Sequence, residues 1–146
     1  HEYYTKKLST MEERINAAIG GVNENGLALI GVKERYKAHL GWLDQPDILC
    51  LRFEELRVNQ EQAFSLILDY LEGQGFQPGV TRREATQTLS EAVQPKKSGT
   101  FRSGKVGEWR QHFTQKNVDF FKQSTGDLLV KLGCENDDTW TLDQVD

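Results

Sequence analysis

The sequence predicts an α/β chain that is mostly helical, with one or few parallel strands. Three observations predict it. Capping-box pairs stand before several runs of apolar residues spaced three and four apart, the pattern of helices with one buried face. One short run, Ile48-Leu49-Cys50-Leu51-Arg52-Phe53, is nearly all apolar between polar clusters and reads as a strand buried on both sides. The 146 residues contain no internal repeat and no low-complexity linker, so one unit of ordinary domain size accounts for the length.

Taken in order, Ser9 or Thr10 with Glu12 or Glu13 forms a capping-box pattern ahead of Met11, Ile15, Ala18 and Ile19, and Gly20-Gly21 supplies a stop. The first helix is therefore expected over 10–20. Leu29 to Leu43 sets Tyr36, Leu40 and Leu43 on one helical face and predicts a second helix. A turn at Gln45-Pro46-Asp47 leads into the expected strand at 48–53. Asn59 with Gln62 caps a third helix carrying Ala63, Phe64, Ile67, Leu68 and Leu71 before Gly73 and Gly75. Thr81 with Glu84 starts a fourth over 82–93, which Pro95 forbids from continuing. Thr114 caps a fifth over 115–132, closed by Gly133, with Val118, Phe121, Leu128, Leu129 and Leu132 as its core face. The acidic tail, Cys134 to Asp146, is expected to be solvated, since it lacks EF-hand ligand spacing. A lone strand of parallel type needs neighbours for its backbone hydrogen bonds, so its partners are expected outside this chain.

Composition excludes several classes of function. Eighteen Lys and Arg against 22 Asp and Glu give a net charge of −4, which counts against wrapping nucleic acid over a broad surface. No run approaches the length of a membrane-spanning helix, and the opening HEYYTKKLSTMEER lacks the apolar stretch of a secretory signal. A cytoplasmic protein with no membrane or nucleic-acid partner is the expectation. Cys50 and Cys134 cannot reproduce zinc-site spacing and are expected as buried or idle thiols, so no metal site is predicted. The charge is also uneven. Within 95–112 lie Lys96, Lys97, Arg102, Lys105 and Arg110 against Glu108 alone, a local +4, leaving −8 for the remainder. A small anion site fits that better than a polyanion groove does.

The stretch from Ser98 to Thr114, SGTFRSGKVGEWRQHFT, carries the chemistry. Arg102, Ser103 and Gly104 bring together a forked cation, a hydroxyl donor and a residue without Cβ that lets backbone amides approach a phosphate. The whole string resembles the C-terminal signature of the sulfotransferases that use 3′-phosphoadenosine 5′-phosphosulfate (PAPS). There an Arg-Lys-Gly triplet is followed by Gly-Asp-Trp-Lys-Asn-His-Phe-Thr. Here the matching residues are Arg102-Ser103-Gly104, Lys105-Val106, then Gly107-Glu108-Trp109-Arg110-Gln111-His112-Phe113-Thr114. The departure is Ser103 in place of Lys, for which Lys105 or Lys97 would compensate in charge.

A second block agrees. Leu49-Cys50-Leu51-Arg52-Phe53-Glu54-Glu55-Leu56 is similar to the family's strand and turn ending in Tyr-Glu-Asp-Leu. The nearest match to the family's Thr-Ser-Phe-like segment is Gln87-Thr88-Leu89. The resemblance implies the C-terminal part of a three-layer, P-loop-like sulfotransferase fold. It implies a nucleotide-binding role for Arg102, Ser103 and Gly104 at the donor's 3′-phosphate, and for Phe53, Thr88 and Leu89 around its adenine. It implies PAPS as co-substrate and no metal, transfer of a sulfuryl group to a small acceptor's hydroxyl or amine, and residues 1–146 as the C-terminal portion of the domain. The N-terminal donor-binding loop is absent, so the remaining N-terminal half of the same domain is an expected partner and this chain alone is expected to be inactive. Lys97-Ser98-Gly99-Thr100 only echoes that loop, because no helix starts at Thr100. A homodimer motif of the family, Lys-x-x-x-Thr-Val-x-x-x-Glu, is matched in type by Arg110, Thr114 and Asp119, with Gln115 in place of Val. None of His1, His39 and His112 is assigned as a base, and no catalytic residue is predicted. Read without the resemblance, the helices also suit a non-catalytic interaction module. The basic loop with Phe101 and Trp109 suits nucleic-acid stacking, against which the net acidity counts.

Overall fold

A computed structural model describes residues 2–99 and 101–142; His1, Thr100 and the last four residues of the tail lie outside the described residues. The described chain is mostly helical and divides into two compact units, His1–Gln45 with Gly107–Asp146, and Pro46–Val106.

The first unit is built on the helices α1 (Glu2–Lys6), α2 (Met11–Gly20), α3 (Val32–Lys37), α7 (Gln115–Thr125) and α8 (Leu128–Lys131), with a hairpin of β1 (Gly21–Glu24) and β2 (Leu27–Ile30). The choice between cap residues resolves to Thr10 and Glu13. The Glu13 amide donates to Thr10 Oγ1 at 3.1 Å, and the Thr10 amide donates to Glu13 Oε2 at 2.9 Å. These bonds satisfy donors that the first turn of a helix leaves over. Helix α2 packs on α7, where Val118 is fully buried and Ile19 nearly so. Asn117, also fully buried, joins the two helices: its Oδ1 accepts from the Thr114 amide at 2.9 Å, while Nδ2 donates to the Glu12 carbonyl at 3.2 Å and to Asn16 Oδ1 at 2.7 Å.

The second unit contains α4 (Phe53–Val58), α5 (Gln60–Gly73) and α6 (Arg82–Ala92). Asn59 Oδ1 accepts from the Gln62 amide at 3.3 Å, the cap expected for α5. Ala63, Phe64 and Leu68 of α5 and Ala85 of α6 form its small core. Arg82 ties the two helices together, donating to Glu72 Oε1 at 2.9 Å, to the Ser65 carbonyl at 3.1 Å and to the Asp69 carboxylate. At the start of α6, both the hydroxyl and the amide of Thr81 donate to Glu84 Oε2, at 2.8 and 2.9 Å.

Several expectations are corrected. The chain's sheet is antiparallel, not parallel, and pairs Gly21 with Ile30 and Glu24 with Leu27 across Asn25-Gly26. Both turn residues have positive φ, 50° and 80°, the geometry of a two-residue type I′ hairpin. The expected strand at 48–53 does not form: residues 48–52 have no regular structure and Phe53 opens α4. Apolar content alone does not make a strand, because each backbone donor and acceptor needs a ladder partner, and none pairs with 48–52 among the described residues. The helix expected over 29–43 shrinks to α3 and a single 3₁₀ turn, Leu40–Trp42, since Leu29 and Ile30 belong to β2. The helix expected over 115–132 breaks at Gly126, whose φ of 64° and ψ of −130° exclude residues with a Cβ. Of the two alternatives for the thiols, buried or idle, burial is excluded: Cys50 and Cys134 are exposed. Trp140, within the tail expected to be solvated, is 5% exposed.

Two predictions follow from these contacts. Asn117→Ala removes the four hydrogen bonds made by a fully buried amide and lowers unfolding free energy by about 2–4 kcal/mol, measurable by urea denaturation; a loss within error would show that the amide is not a stability determinant. The Thr81 hydroxyl and then its amide hold the Glu84 carboxyl below its ordinary pKa. A lowered folded-state value means that the linked stability is complete above the unfolded pKa and lost as pH falls through the folded one. Glu84→Gln is therefore expected to make the acid side of the stability profile shallower, and a profile superimposable on the unsubstituted protein's would contradict this.

Candidate functional site

The basic loop starts at the 3₁₀ turn Pro95–Lys97, where the fixed φ of Pro95 sets the first position. The Ser98 amide closes that turn by donating to the Pro95 carbonyl at 2.9 Å, and the Phe101 amide then donates to the Ser98 carbonyl at 3.2 Å. Gly104 sits in the left-handed region at φ 62°, and a Cβ built there would approach the Phe101 ring to 3.0 Å. The Lys105 amide donates to Ser103 Oγ at 3.4 Å, closing the turn around Gly104. Arg102 is exposed, while Ser103 and Gly104 are half-buried. The triplet is thus a structured turn carrying an exposed guanidinium beside a hydroxyl and a glycine amide, a donor set suited to an anion.

The other nucleotide-binding residues expected from the sequence lie elsewhere in the same unit. Phe53 is the first residue of α4 and is 49% exposed, so its ring is open to stacking and is not core. Thr88 and Leu89 are consecutive on α6, and consecutive helical residues point about 100° apart. Leu89 is half-buried and Thr88 faces out, its hydroxyl donating to the Glu84 carbonyl at 2.8 Å. That bond uses the proton Thr88 would offer a nucleotide. An open groove of about 480 Å³ in this unit is lined by Arg52, Glu54, Glu55, Val58, Asn59, Gln62, Ala63 and Leu66, and includes none of these six residues.

The rest of the string folds as the other unit's aromatic anchor. Gly107, left-handed at φ 72°, precedes the 3₁₀ turn Glu108–Gln111. Trp109 meets Phe113 edge to face at 5.1 Å and Trp140 at 5.9 Å, and Trp140 meets Phe121 at 5.9 Å. The Arg110 guanidinium lies 4.6 Å over the Trp109 ring, and its Nη1 donates to the carbonyls of Thr141 at 2.9 Å and Leu142 at 3.3 Å. Thr114 Oγ1 donates to Glu12 Oε2 at 2.8 Å and Asp119 accepts from Gln115 at 2.9 Å, so all three residues of the expected pairing motif hold partners within the chain. His39 stacks on Trp42 at 5.0 Å, and His112 is exposed at the end of the 3₁₀ turn. Among the described residues no group of His, Cys, Asp and Glu could hold a metal ion, and no helix is long and apolar enough to cross a membrane.

With a clamp-like turn and an aromatic anchor encoded by one string, the comparison with family models is decisive: the sulfotransferase domain model matches residues 7–133. The chain belongs to the sulfotransferase domain family. No curated protein and no solved structure matches it. The matched span of the sulfotransferase domain includes Phe53, Thr88, Leu89 and Arg102–Gly104 and stops before Trp140. Trp140 is the buried anchor residue of the other unit that sequence reasoning misses, because its acidic surroundings read as solvated; the signal is the isolated Trp itself, a residue seldom left in water.

Gly104→Ala forces a side chain into the left-handed region and costs about 1–2 kcal/mol locally. Faster amide hydrogen exchange over 101–106 is the expected readout, and unchanged exchange would show that the turn does not depend on that conformation.

Proposed function

We propose that this sulfotransferase domain uses PAPS as its donor and that the turn Arg102-Ser103-Gly104 binds the donor's 3′-phosphate. The observation that carries the reading is the turn itself: a guanidinium exposed beside a hydroxyl and an amide, with Gly104 held left-handed. Arg102 supplies a charge-assisted, forked contact, Ser103 a neutral donor, and the backbone at Gly104 approaches closely because no Cβ intervenes. Lys105 and Lys97 add positive charge along the same loop and offset the missing Lys of the family triplet. The exposed Phe53 ring suits contact with the adenine, and the half-buried Leu89 on α6 offers a further apolar side chain in the same unit. Thr88 contributes less, its proton already being used.

The reaction in this reading is an in-line displacement at sulfur. An acceptor hydroxyl or amine forms the new bond to sulfur, the bond from sulfur to the donor's phosphate oxygen breaks, and the acceptor proton goes to a base. The leaving group is 3′-phosphoadenosine 5′-phosphate. Positive charge near the transferring group and the leaving phosphate lowers the barrier in the same way as in phosphoryl transfer. The residues named here act on binding and orientation at the nucleotide end, and no base is assigned among them. In the P-loop-like three-layer arrangement proposed for the whole domain, the sulfate end would rest on its N-terminal half. The acceptor is a small hydroxyl or amine compound.

Arg102→Ala removes an ion-assisted hydrogen bond worth about 1.5–3 kcal/mol and should weaken binding of 3′-phosphoadenosine 5′-phosphate by about ten- to hundredfold. Isothermal titration of the full-length protein measures this. An unchanged dissociation constant would sink the assignment.

A further inference from the structure

We propose that Tyr70 is a positioning residue for Phe53: its hydroxyl, donating to the Asp47 carbonyl at 2.7 Å, ties the irregular segment 48–52 to α5 and so sets where the Phe53 ring stands. The role rests on the reading of Phe53 as the adenine contact. It goes beyond that reading in naming what holds the ring in place, and every residue it uses lies within the unit Pro46–Val106.

Phe53 needs such support because its surroundings supply little of their own. Residues 48–52 have no regular structure and no ladder partner among the described residues. Leu49 and Leu51 are half-buried while Ile48, Cys50 and Arg52 are exposed, so apolar attraction holds the segment down without fixing its place along the surface. On the far side, α4 is only six residues long, below the length at which a helix holds itself in water. Its first turn is tied locally, the Arg52 amide donating to Glu55 Oε2 at 2.8 Å. The ring itself is 49% exposed and is not locked by packing.

Helix α5 is the rigid element of this part of the unit. It runs for 14 residues and carries Ala63, Phe64 and Leu68 into the core. It grips the segment that contains Phe53 at both ends. At its N-terminus Asn59 joins α4 to α5: the Asn59 amide donates to the Glu55 carbonyl and the Ala63 amide donates to the Asn59 carbonyl, both at 3.0 Å. Near its C-terminus Tyr70 reaches back 23 residues to Asp47. Two points on one helix therefore bound the path from Asp47 to Asn59, and Phe53 stands midway along it. Without the Tyr70 tie the Asp47 end can slide, and a ring that must be placed at the moment of binding loses affinity to the cost of placing it. The effect falls on the base of the nucleotide, because the bond from Tyr70 goes to the backbone leading to Phe53 and not to the turn at Arg102–Gly104.

The test uses the full-length protein, titrated with 3′-phosphoadenosine 5′-phosphate and, separately, with ribose 3,5-bisphosphate, which carries the phosphates without the base. Tyr70→Phe removes the hydroxyl and keeps the ring, so the fold is retained. It is expected to weaken binding of the adenine nucleotide by about two- to tenfold, to leave the base-free bisphosphate unaffected and to speed amide hydrogen exchange over 47–53. Acceptor KM and kcat at saturating donor should not move. In a Phe53→Ala background the same substitution should have no further effect, since the ring it positions is gone. Unchanged affinity for the adenine nucleotide, an equal loss for the base-free bisphosphate, or additive losses in the double variant would overturn the positioning role. Phe53→Ala separates the two readings: if it leaves affinity unchanged, the adenine contact fails and the role of Tyr70 with it, whereas if it weakens binding and Tyr70→Phe does not, only the role of Tyr70 fails.

Discussion

A fully buried amide, Asn117, holds together two segments of the sequence separated by about a hundred residues. Its two donors and its acceptor oxygen are all used, which is the condition under which a polar group in a dry interface stabilises instead of costing free energy. The apolar contacts beside it, Ile19 and Val118, supply most of the attraction between α2 and α7 but little direction. Direction comes from the amide. Nδ2 reaches the Glu12 carbonyl and Asn16 Oδ1 together, so a slide of one helix along the other would strand a buried donor. Thr114 belongs to the same hub, as the cap of α7 and the donor to Glu12. It is also the last residue of the signature string, so the register of α2 on α7 sets where that string ends.

Helix starts were the most legible part of the fold. Thr10 with Glu13, Asn59 with Gln62, Thr81 with Glu84 and Thr114 each cap the helix expected of them, because a cap is satisfied within four residues and needs nothing from the rest of the chain. The hairpin was legible too and went unread: the Asn25-Gly26 dipeptide, with an apolar run from Leu27 after it, is a strong hairpin signal. Reading Gly20-Gly21 only as a helix stop hid the strand that begins at Gly21. The segment 48–53 failed for the opposite reason. Its apolar run is a statement about burial, whereas a strand is a statement about partners, and partners are not written in the segment that needs them.

At the site, the sequence showed which residue types could meet a phosphate and not how they are presented. Arg102, Ser103 and Gly104 are adjacent in the chain, so their grouping was assured, and the positive φ of Gly104 was foreseeable from the residue. Phe53, Thr88 and Leu89 were grouped by resemblance alone. Helical phase then separates Thr88 from Leu89, and back-bonding to Glu84 takes up the Thr88 proton, a cost that no local pattern displays. The tail misled by composition. Charge near Trp140 predicts solvent, yet an indole can be buried while its acidic neighbours remain in water.

The division between the two compact units falls inside the signature, between Val106 and Gly107, and the chemistry divides there as well. Before it stand a guanidinium and a lysine that are exposed; after it stand Trp109, Arg110 and Phe113, which are all half-buried and held by rings or carbonyls. The same residue type is presented in two ways eight positions apart. Arg102 is presented at the surface beside a hydroxyl, while Arg110 is stacked on an indole and bonded to two carbonyls. A basic run that looks uniform in sequence is therefore two structural settings, an exposed turn and a ring-stacked anchor.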